Sequence, residues 1–66
     1  SGQGYDKTDV DALMDRIAGY FDSDTTLTSS EVRGAVFRRA RGNKAYGEPS
    51  VDRYLARVVE VLLSVE

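Results

Sequence analysis

The chain contains no cysteine and no histidine. The first absence excludes a disulfide framework, and the two together exclude the Cys–His and Ser–His pairings of nucleophilic catalysis. A metal site would have to be built from carboxylates alone. No apolar run approaches the ~20 residues that cross a bilayer. There is no secretory signal, so a cytoplasmic location is expected. Neither sign of charge dominates: 9 basic residues stand against 11 acidic ones, a net charge of −2. That disfavours a general nucleic-acid binder and leaves room for a local basic patch. With 66 residues the chain makes one domain. A domain of this size buries roughly 60% of its unfolded surface and is marginal alone. Such chains gain stability from well-matched helix packing or self-association. Ser1-Gly2 has the form of a cloning remnant, and residues 1–3 are set outside the fold.

What the chain does have is a phrase written twice. Tyr5, Val10, Asp11 and Arg16 recur as Tyr46, Val51, Asp52 and Arg57, at one offset of 41 residues. At the same offset Met14, Ile17 and Phe21 fall opposite Leu55, Val58 and Leu62. A repeated supersecondary unit implies helices packed by equivalent faces. It carries no hint of an active site.

The first copy, roughly Lys7 to Phe21, places Val10, Leu13, Met14, Ile17, Tyr20 and Phe21 along one stripe of a helix. Asp6 is its expected N-cap. Asp22 to Leu27 is a polar connector. Thr28-Ser29-Ser30-Glu31 has the spacing of a capping box, with Leu27 and Val32 as the hydrophobic staple around it. A short helix follows and should end between Phe37 and Arg41. The second copy is a helix from the Pro49 region to the end, with Gly47 or Glu48 as cap and Pro49 in the first turn, where its missing amide costs nothing. Its apolar positions are Val51, Tyr54, Leu55, Val58, Val59, Val61, Leu62 and Val65, a stripe wider than one neighbour needs. Either this helix is central and covered by both others, or Val58, Val59, Val61, Leu62 and Val65 also form an interaction face.

Arg38, Arg39, Arg41 and Lys44 bracket a Gly-Asn turn and read as an exposed basic loop, with room for a short extended stretch. Such a loop can bind phosphates of lipid or nucleic acid. It can equally pair with the chain's own carboxylates. Tyr5 and Tyr46 are read as packed rings sealing the helix starts, with surface hydroxyls. Asp11, Arg16, Asp52 and Arg57 are read in capping, dipole and inter-helix ion-pair roles. Asp22-Ser23-Asp24 begins like a calcium loop, but Leu27 stands at the position of the glycine and Arg33 at that of the bidentate glutamate, so calcium is rejected.

Leu27-Thr28 with its short helix, Phe37, the basic loop, Tyr46, and Val51-Asp52-Arg53-Tyr54-Leu55-Ala56-Arg57-Val58 together resemble the N-terminal domain of DivIVA-type proteins. Residues 27 to about 62 are similar to one full unit. Gly4-Tyr5-Asp6 and Val10 to Ile17 match the second half of another. Ala45 and Gly47 depart from that family's Gly-Tyr-Asp. No aromatic lies between Arg38 and Lys44, where the family carries an apolar membrane wedge. The resemblance implies a dimerising bacterial scaffold domain for cell division or polar growth, with peripheral binding at the inner membrane face.

The expectation is therefore an all-α, three-helix domain with no strand. Its expected role is a non-enzymatic, cytoplasmic interaction or scaffold domain without cofactor or metal. Its partner would be itself, as a homodimer, or another helical protein. A small helix-turn-helix-like nucleic-acid binder and an anionic-membrane adaptor, both using Arg38–Lys44, are the alternatives.

Overall fold

A computed structural model describes residues 2–23 and 25–66. Its elements run β1 (Gln3–Asp6), α1 (Lys7–Asp22), α2 (Ser29–Arg33), β2 (Arg39–Arg41), a 3-10 turn (Gly42–Lys44), β3 (Ala45–Tyr46) and α3 (Glu48–Val65). The all-α expectation is thereby corrected. The molecule is a small α+β domain with a three-stranded antiparallel sheet in the order β2-β1-β3. Gln3, expected outside the fold, is the first residue of β1.

The central strand is held on both edges. Gln3, Gly4 and Tyr5 lie opposite Arg41, Ala40 and Arg39, while Tyr5 and Asp6 lie opposite Tyr46 and Ala45. Gly4 is buried, and a Cβ there would overlap the Tyr46 carbonyl. The close approach of β1 and β3 therefore requires glycine at this position. The second requirement is at Gly42, whose φ of 58° turns the chain out of β2. The basic segment is thus an edge strand and a tight turn rather than an open loop.

The helices follow local rules. The Asp6 carboxylate accepts from the Asp9 amide at 3.2 Å and caps α1. In α2 the capping box is complete: Thr28 Oγ1 accepts from the Glu31 amide at 3.2 Å, and Glu31 Oε1 accepts from the Thr28 amide at 3.0 Å. This helix stops at Arg33, several residues before the expected end. Gly34 takes the C-cap, and the chain then extends towards β2. Gly47 caps α3, and Pro49 sits in its first turn.

Ile17, Leu27, Val32, Val58 and Leu62 form the buried core, flanked by Leu13, Met14, Tyr20, Leu55 and Val59. Val10 and Val51 are buried nearer the sheet. The equivalent residues Ile17 and Val58 share this core, while Tyr5 and Tyr46 lie opposite each other in the sheet just before the two helices. Helices α1 and α3 therefore lie side by side and run in the same sense away from the sheet.

Candidate interaction face

Each tyrosine of the repeated phrase donates its hydroxyl to the aspartate of the other copy. Tyr5 bonds Asp52 Oδ1 at 2.7 Å, and Tyr46 bonds Asp11 Oδ1 at 2.7 Å. Tyr5 also lies directly opposite Tyr46 in the β1–β3 pairing. These exchanges define a local two-fold relation between β1–α1 and β3–α3. Accepting charge next to the phenols raises both tyrosine pKa values: Asp52 acts on Tyr5, and Asp11 on Tyr46. The tyrosines are thus clasps between the copies, and the aspartates of the phrase are their acceptors.

A two-fold axis between two parallel helices exchanges the two faces of the pair. One face is covered by the segment from Leu27 to Phe37. Leu27 and Val32 are buried against the core. Arg16 donates to Glu31 Oε2 at 2.9 Å and to the Thr26 carbonyl at 3.3 Å. That contact, with the Thr28 amide, holds the Glu31 carboxyl below its usual range. Phe37 packs on Tyr5 with ring centroids 5.1 Å apart. Ser29 is buried and donates through its amide and hydroxyl to the Glu66 carboxylate at 2.7 and 2.8 Å.

The opposite face is open. Met14, Tyr46, Val51 and Tyr54 line a shallow, mostly apolar groove there, and Tyr54 continues past Ser50 to Arg53 and Arg57. Further along the helices Phe21 is 54% exposed and Val61 45%. The five residues expected to form one interaction face are divided by this arrangement. Val58 and Leu62 are core, Val59 is half-buried against it, and Val61 and Val65 are exposed. Phe21, Met14, Tyr54 and Arg57 belong to the same open face as Val61 and are absent from the face expected from sequence. The signal was available: Phe21 is the repeat counterpart of Leu62.

The basic segment is largely engaged. Arg38 donates from its side chain to both Asp9 oxygens, at 3.0 and 2.8 Å, and its amide bonds Asp9 as well, at 2.9 Å. Asp6 lies 3.8 Å from the same guanidinium. The Arg38 side chain and amide together hold the Asp9 carboxyl down at about 2. Arg39 pairs with Glu48. Arg41 and Lys44 make no ion pair among the described residues.

Among the described residues no acidic group of three could hold a metal ion, and no helix is long and apolar enough to cross a membrane. Comparison with protein-family models, curated proteins and solved structures finds no match to this chain.

Proposed function

We propose that this chain is a non-enzymatic protein-interaction domain whose working surface is the open face of α1 and α3. The observation that carries the reading is the unequal exposure of equivalent positions: Leu62 is 0% exposed, and its counterpart Phe21 is 54% exposed. A residue placed by the same helical stripe but left in water marks an apolar patch with room for a partner. Phosphate binding through Arg38–Lys44 has less support, because Asp9 and Glu48 already neutralise two of its four cations. The resemblance carried by Leu27 to Val58 extends the reading to a scaffold of bacterial cell division or polar growth.

The test is sedimentation equilibrium up to about 1 mM, where contacts of a few kcal/mol become visible. Association that rises with concentration is expected, and the double variant Phe21→Ser/Val61→Ser should remove it while keeping the helical circular-dichroism signal. A wild-type chain that stays monomeric throughout and also binds no peptide on this face refutes the reading.

A further inference from the structure

The covered face is a template for the open one. Carried across the two-fold relation, Leu62, Leu13 and Tyr20 become Phe21, Tyr54 and Val61, and Tyr5 becomes Tyr46. Arg16, which grips Glu31, becomes Arg57. Arg57 is exposed and has no ion-pair partner among the described residues. On the covered side β2 pairs along β1; on the other side β3 is the edge of the sheet. Leu62, Leu13, Tyr20 and Arg16 on the covered side thus have exposed counterparts in Phe21, Tyr54, Val61 and Arg57.

Resting on the interaction-domain reading, we propose that the open face takes a segment of a partner protein built like residues 27–41. That segment is a leucine, a Thr- or Ser-capped helical turn with glutamate at its third position for Arg57, an aromatic for Tyr46, and a strand that pairs with β3. The charges say that the guest is not the same segment from a second copy. Arg38 rests on Asp6 and Asp9, whose counterparts are the neutral Gly47 and Ser50. Arg39 rests on Glu48, whose counterpart is Lys7, already placed over the Tyr46 ring at 5.3 Å. A guest strand with arginines at these two positions loses both partners and meets a like charge. The fitting guest carries a neutral residue at the first and an acid at the second.

The experiment titrates the chain with two peptides, one with the sequence of residues 25–41 and one with that sequence carrying Arg38→Ser and Arg39→Glu, followed by backbone and side-chain NMR. Saturable binding of the second is expected, with shifts at Phe21, Tyr54, Val61 and Ala45–Tyr46, at least about tenfold tighter than the first. Arg57→Glu in the chain should weaken it about tenfold, and Glu31→Arg in the peptide should restore it. Absence of saturable binding at about 1 mM, or binding indifferent to Arg57→Glu, overturns the proposal. If the chain self-associates through Phe21 and Val61 yet ignores both peptides, this inference falls and the interaction-domain reading stands. If it does neither, both fall.

Discussion

Leu62 and Phe21 occupy the same place in the repeated phrase, so truncating each to alanine measures what covers it. Leu62 is fully buried among Ile17, Leu27, Val32 and Val58. Removing its isobutyl group leaves a cavity in a core of few residues, at a cost of about 2–5 kcal/mol. A domain of this length has a total stability of only about 3–10 kcal/mol, so the loss takes roughly a fifth or more of it. At ~4–8 °C per kcal/mol for a domain of this size, a loss of ~3 kcal/mol lowers Tm by roughly 12–24 °C. Phe21, more than half in water, should cost less than about 1 kcal/mol. Urea unfolding at low protein concentration, followed by far-ultraviolet circular dichroism, gives both values with an unchanged slope. Equal costs for the two variants at low concentration would refute the reasoning, because the faces would then be equally covered. A Phe21→Ala cost that grows with protein concentration would instead report association through that face.

Two further perturbations address the sheet and the ion pairs. Gly4→Ala drives a methyl group into the Tyr46 backbone, an obstacle that cannot rotate away. It should cost about 1–3 kcal/mol or more and raise amide exchange along β1 and β3, and native stability in this variant would disprove the strand register. The Asp9 carboxyl is held at about 2, below its ordinary 3.8, by the Arg38 side chain and then the Arg38 amide. A depressed carboxylate contributes stability above its unfolded pKa that is lost as pH falls through the folded value, here between about 4 and 2. Denaturation midpoints measured across that window should fall for the wild type and fall less for Asp9→Asn. Glu31, lowered chiefly by the Arg16 side chain, and Glu66, lowered chiefly by the Ser29 amide, act in the same direction and leave a residual slope.

Local chemistry made the helices legible. The apolar stripe of Val10, Leu13, Met14 and Ile17, the Asp6 cap, and the Thr28–Glu31 box each encode their own conformation within a few residues. The strands do not. They are Gln-Gly-Tyr-Asp, Arg-Ala-Arg and Ala-Tyr, too short for an alternating pattern and without a β-branched residue. They exist because a backbone at Gly4 can approach Tyr46 from 42 positions away, which no window of sequence contains. The clue was positional: two tyrosines preceding two helices in the same phase imply that the residues before those helices also meet. The interaction face was blurred for a related reason. A stripe on one helix shows that Val58 to Val65 is apolar, but the position of the α2 segment decides that Leu62 is core and Val61 is surface.

The way the two copies differ also argues that the open face is specific rather than merely incomplete. The frame is kept in both, in Tyr5/Tyr46, Asp11/Asp52 and Val10/Val51, as a fold needing both halves requires. Arg57 is kept too, although no ion pair within the described chain uses it. Charge differs at the three positions where an edge strand would rest, Asp6 against Gly47, Lys7 against Glu48 and Asp9 against Ser50, and also at Ala12/Arg53, Asp15/Ala56 and Gly19/Glu60. A surface that retains one anchor and rewrites the adjacent charges discriminates between guests by repulsion as well as attraction. Its own basic segment is then disfavoured on that face, which keeps copies of the chain from extending one another edge to edge.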